Sequence, residues 1–144
     1  MSDERPTIIP MLAYEDVASA ISWLERAFGF QELPDQRYTE LDGRVSHAEL
    51  AMGDGRIMLG TPTPLYQGPA RHRAGCDAAA AWSTVPWVID GVQVRVADRD
   101  AHLAHARAAG ASILGEPSDQ PYGRLYRAED LEGHRWMFIE PPGR

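Results

Sequence analysis

The chain has 144 residues, 44% of them hydrophobic, which is enough for one ordinary domain or for two small modules sharing a core. Its net charge of −7 gives no reason to expect nucleic acid or an anionic membrane as a partner. All 14 basic residues are Arg, which excludes Schiff-base chemistry, a lysine general base and a lysine-bearing phosphate loop.

Residues 1–6 read as a disordered tail. Thr7 to Tyr14 is an apolar run of strand length. Asp16 is a good helix N-cap. Val17, Ala20, Ile21, Leu24 and Phe28 then recur at helical spacing, and Gly29 stands where a helix-ending glycine belongs. Phe30 to Thr39 reads as a second strand, in which Pro34 marks an edge or a bulge. Val45 to Met52 and Arg56 to Gly60 form a predicted hairpin turned by Gly53-Asp54-Gly55. Residues 62–86 break the rhythm with Pro- and Gly-rich loops, and Ala74 to Trp82 is Ala-rich enough for a short helix. The lone Cys76 lies there. It cannot close an internal disulfide, and it reads as a bystander because nothing pairs it with the nearby His72. With no leader-like pattern and no membrane-length apolar run, the expected compartment is the cytoplasm.

The rhythm then restarts. Val88 to Ala97 alternates, with Val92, Val94 and Val96 on one face and Gln93 and Arg95 on the other. Asp98 or Asp100 caps a helix to about Ala109, closed by Gly110. Ile113 to Glu116 is a short strand, and Tyr122 to Phe138 is a hairpin turned at Glu132-Gly133. Asp98 follows Asp16 by 82 positions, and Met137 follows Met58 by 79. Asp42-Gly-Arg-Val-Ser-His-Ala-Glu-Leu50 also lines up with Tyr122-Gly-Arg-Leu-Tyr-Arg-Ala-Glu-Asp130. Such offsets predict tandem modules of one kind, residues 7–61 and 87–140, joined by linker 62–86 within a single domain spanning 1–144.

Two β-α-β-β-β modules closing on strands of this type resemble the vicinal oxygen chelate superfamily, which holds glyoxalases, bleomycin-resistance proteins and extradiol dioxygenases. The resemblance rests on Ile9-Pro-Met-Leu-Ala-Tyr-Glu-Asp16, Ala27-Phe-Gly-Phe30, His47-Ala-Glu-Leu50 and above all Asp130-Leu-Glu-Gly-His-Arg-Trp136. It implies an α+β fold in which two tandem βαβββ modules form a curved-sheet cleft, as in the glyoxalase/bleomycin-resistance fold. It also implies metal positions on the opening and closing strands, here Ile9, Gly91, Met58 and Met137. None of these suits a hard divalent ion, so no metal and no cofactor is expected.

Strand alternation selects the cleft-facing candidates: Met11, Ala13, His47, Glu49 and Met58 in the first module, and Gln93, Arg95, Arg127, Glu129, Arg135 and Met137 in the second. Trp82, Trp87 and Tyr66 lie in or beside the linker, where aromatic rings can stack on a flat ligand or pin the linker down. Trp23 reads as core, His102 and His105 as surface, and His134 as structural. The first reading is a metal-free, drug-sequestering small-molecule binder. Its ligand is expected to be aromatic with an anionic or carbonyl-rich rim, because methionine gives an adaptable apolar floor and arginine a planar donor. The alternative is a lyase, isomerase or transferase with an atypical metal site, or an acid–base enzyme acting through Glu49 or Glu129 with His47. A homodimer is expected, with no nucleic acid and no membrane partner.

Overall fold

The computed structural model describes residues 5–88 and 90–143, so residues 1–4 of the expected tail and Ile89 of the expected strand lie outside it. The chain divides between Gln67 and Gly68 into two compact units.

In the first unit, β1 (Met11–Ala13) leads into α1 (Val17–Phe28). Asp16 caps the helix, its carboxylate accepting from the Ser19 backbone N–H at 3.1 Å. Gly29 ends it at φ +92, a left-handed conformation that costs glycine nothing. α1 buries Val17, Ile21, Trp23, Leu24 and Phe28, each large side chain stabilising by about 1.5–3 kcal/mol. The expected single strand Phe30 to Thr39 is two short strands, β2 (Gln31–Glu32) and β3 (Tyr38–Thr39), around a 3-10 turn at Pro34–Gln36. Pro34 has no N–H to give a ladder, so the chain turns there instead of pairing. β4 (Val45–Met52) and β5 (Gly55–Gly60) complete a sheet ordered β1-β5-β4-β2, with β3 also on β4. Ala48, Leu50, Ile57 and Leu59 form its buried face, on the side of α1.

The second unit opens with α2 (Pro69–Ala74) and α3 (Asp77–Trp82), two short helices where the sequence suggested one. β6 (Gly91–Arg95) follows, then α4 (Arg99–Ala108), capped by Asp98 and not by Asp100. β7 (Ser112–Gln120) is longer than expected, its pairing broken between Leu114 and Ser118, where Gly115 and Pro117 interrupt the ladder. β8 (Gly123–Glu129) and β9 (Arg135–Glu140) finish a sheet ordered β6-β9-β8-β7. Val94, Tyr126, Ala128, Trp136 and Phe138 are buried on the α4 side. His102 is not a plain surface residue. Its ring lies 4.4 Å from that of Phe138, and its Nδ1 is 2.6 Å from the Tyr126 hydroxyl. Among the described residues no helix is long and apolar enough to cross a membrane.

Candidate functional site

Each sheet carries a helix on one face, so the other face is where polar and sulfur side chains collect. In the first unit the parallel pairing of β1 with β5 sets Met11 beside Met58, and the antiparallel pairing of β5 with β4 sets Met58 beside Glu49. The row across the face is therefore Met11–Met58–Glu49. The next row is Ala13–Gly60–His47–Tyr38. A hollow of about 270 Å³ opens here, lined by Met11, Ala13, Ser46, His47, Met58, Gly60, Thr61 and Pro62. Tyr66 closes the adjoining segment onto β1, its hydroxyl donating to the Ala13 carbonyl at 3.1 Å.

Glu49 is 4% exposed, and the nearest Arg56 nitrogen stands 3.6 Å from its Oε2. That distance is an ion pair without a hydrogen bond, and among the described residues Oε2 has no hydrogen-bond partner.

In the second unit the corresponding row is Gln93–Met137–Arg127. A hollow of about 200 Å³ is lined by Pro86, Trp87, Gly91, Gln93, Arg127, Arg135 and Met137. The Arg127 guanidinium lies over the Trp87 indole, 5.8 Å from the ring centroid. Arg95 shares this face but pairs with Ile139, one row beyond the hollow. Trp82 sits half-exposed on α3 and does not line the hollow.

Two arginines that look alike in sequence have different surroundings. Arg135 is buried. Its Nη1 donates to the Val85 carbonyl and its Nη2 to the Ser83 carbonyl, each at 2.8 Å, and Nη2 also reaches Glu129 at 3.3 Å. Glu129 is clasped from its other oxygen by Arg73 of α2, a residue that nothing in the sequence marked out. Glu129 is thus paired twice, whereas Glu49 is not.

The register corrects the internal alignment. Ala48-Glu49 and Ala128-Glu129 match in sequence, yet the partner of Met58 is Glu49 while the partner of Met137 is Arg127. The partner shifts by two residues because residues 130–134 make the second turn three residues longer than Gly53-Asp54, while the sequence match itself slips by one. A two-residue shift keeps every side chain on its face but changes its neighbours. One row sets an acid beside its methionine and the other a basic side chain.

The same register shows which residues flank the expected metal positions Met58 and Met137. Met11, not Ile9, stands beside Met58, and Gln93, not Gly91, stands beside Met137. Two thioethers in one row, and a thioether with an amide in the other, do not fit a hard divalent ion. Among the described residues, no three His, Cys, Asp or Glu side chains gather where they could hold one.

The Glyoxalase/Bleomycin resistance protein/Dioxygenase superfamily profile matches residues 9–138, and the chain belongs to that superfamily. It is 30% identical over 142 residues to an uncharacterized protein of Mycobacterium tuberculosis, covering 95% of this chain and 75% of that one. Among solved structures it is similar to TioX from Micromonospora sp. ML1, with a TM-score of 0.67 and 32% identity over 96% of this chain and 98% of the other. It also shares its fold with TnmS3, an antibiotic binding protein from Streptomyces sp. CB03234, at a TM-score of 0.62 and 18% identity over 95% and 98% of the two chains.

Proposed function

We propose that this protein captures a small molecule on the helix-free faces of its sheets, without a metal and without making or breaking a bond, and that it sequesters a drug-like compound in the cytoplasm. The observation that carries this reading is the second hollow. It is lined by Met137 and Gln93 of the sheet and by the indole of Trp87, and its partly exposed charged group is Arg127. Thioether and indole favour a flat ring, and a guanidinium favours a carboxylate or carbonyl oxygen at the rim. The antibiotic binding by TnmS3, a protein of the same fold, supports a small-molecule ligand.

Titration with anthracene carboxylate and with bleomycin, followed by tryptophan fluorescence and calorimetry, tests this reading. Saturable binding with quenching that is lost in Trp87→Phe is the expected result. No binding of either compound up to millimolar concentration would sink it.

One observation keeps an acid–base reading in view. The buried Glu49 carboxylate has an oxygen without a hydrogen bond, a state that a substrate proton could relieve. Glu129, held by two arginines, is poorly placed for such work.

We also propose a homodimer, because Met11 at 78% and Trp87 at 70% are large apolar side chains left in contact with solvent. Light scattering at micromolar concentration distinguishes a dimer from a monomer.

A further inference from the structure

The segment from α2 to Trp87 forms one wall of the second hollow, yet it has almost no apolar anchor of its own. Ala79 is its one buried hydrophobic residue among those described. Polar contacts hold it instead. The Ala70 N–H donates to the Glu132 carbonyl at 2.9 Å, and Gly133 leaves room for this approach, since a Cβ there would stand 2.6 Å from the Ala70 nitrogen. Arg73 reaches Glu129. At the other end, Arg135 takes the Ser83 and Val85 carbonyls, three residues and one residue before Pro86. Pro86 and Trp87 follow directly, with little freedom between the held carbonyls and the indole.

Arg127 is in the opposite condition. It is partly exposed, and among the described residues its guanidinium makes no ion pair, only the stacked contact with Trp87. Its hydrogen-bond donors remain available to a ligand, whereas those of Arg135 hold the Ser83 and Val85 carbonyls.

We infer that the two arginines divide the work of this site. Arg135 is a positioning residue that sets the Trp87 wall through the Ser83 and Val85 carbonyls, with Glu129 opposing its charge while also pairing with Arg73, and Arg127 reads the anionic oxygen of the ligand. This rests on the ligand-binding reading of the second face, and it names the ligand class that the site selects: a planar aromatic acid over its uncharged amide. Selectivity for charge resides in Arg127 alone, and the shape of the slot resides in Arg135. Glu129 keeps the buried Arg135 from acting as a second anion receptor, because one carboxylate oxygen already faces it.

The experiment has two arms. Hydrogen exchange of the Val85 and Val88 amides, which donate to the Trp82 and Val85 carbonyls, reports the wall without any ligand. Arg135→Gln is expected to speed that exchange while the Leu103 amide in α4 keeps its wild-type rate, and Arg135→Lys is expected to restore part of the protection. In the second arm, anthracene carboxylate and anthracene carboxamide are titrated into each variant. Arg127→Gln is expected to weaken the acid by roughly tenfold and leave the amide unchanged. Arg135→Gln is expected to weaken both by the same factor. Unchanged exchange at Val85 and Val88 in Arg135→Gln overturns the positioning role. Loss of acid-over-amide preference in Arg135→Gln, or its persistence in Arg127→Gln, overturns the division of work. If neither probe binds the wild type, the ligand class is wrong, and the exchange arm still decides what Arg135 does.

Discussion

The indole N–H of Trp136 donates to Oδ2 of Asp130 across 3.1 Å, deep in the second unit. The other oxygen of the same carboxylate accepts from the backbone N–H groups of Glu132 and His134, at 3.0 Å each. One side chain thus closes the β8–β9 turn and satisfies a fully buried indole. This is the physical content of the Asp130-Leu-Glu-Gly-His-Arg-Trp136 motif: it builds the hairpin, and it does not by itself perform chemistry. Its length also creates the two-residue difference in register that puts Arg127 beside Met137.

Asp130→Ala should cost about 3 kcal/mol or more, because it removes charge-assisted bonds and orphans the Trp136 N–H in a dry core. Asp130→Asn should cost less but not nothing, since an amide accepts at one end only. Urea denaturation followed by tryptophan fluorescence measures both. A loss below about 1 kcal/mol for the alanine variant would contradict this account.

Burial pushes the Tyr126 phenol well above its ordinary value. The folded state therefore keeps the hydroxyl neutral where the unfolded chain ionises it. The stability that this supplies is intact below a pH of about 10, the unfolded value, and is lost as pH rises beyond it towards the folded value. Between pH 8 and pH 11, roughly, the wild type should lose more stability than Tyr126→Phe, whose ring has no proton to give up. The comparison is one of slopes, because the Phe variant also lacks the bond to His102 at every pH.

Arg95 and Arg127 share a face but not a hollow. Arg127→Ala should weaken binding of an aromatic carboxylate by about 1.5–3 kcal/mol, the range for a hydrogen bond to a charged group. Arg95→Ala should leave the affinity within a few tenths of a kcal/mol. Calorimetric titration of the two variants side by side is the measurement, and equal losses would misplace the site.

Elemental analysis of protein purified without chelators should find no stoichiometric Zn, Ni, Mn or Fe. The expected positions Ile9, Gly91, Met58 and Met137 offer no hard ligand, and the neighbouring Met11 and Gln93 add at most one neutral oxygen. One metal per chain, lost in His47→Ala, would move the function to a metal-dependent enzyme.

The helices were legible from the sequence because their determinants are local. Asp16 and Asp98 cap within three residues, and Gly29 ends its helix by its own conformational freedom. The facing of Met58, Glu49, Arg127 and Met137 was legible too, because a strand alternates whatever it pairs with. Which of them stand side by side was not. That depends on how many residues each turn consumes, so a matching Ala-Glu pair in two hairpins concealed different neighbours. The linker was the least legible part. Arg73, Ser83 and Val85 carry no periodic signal, and they meet Glu129 and Arg135 only because the fold brings residues some 50 positions apart into hydrogen-bond range. Arg127 and Arg135 have the same chemistry on the same face. Tertiary structure alone gave one of them carbonyls to hold and left the other with its donors available, because a guanidinium's role is set by which acceptors reach it and not by its place in the chain.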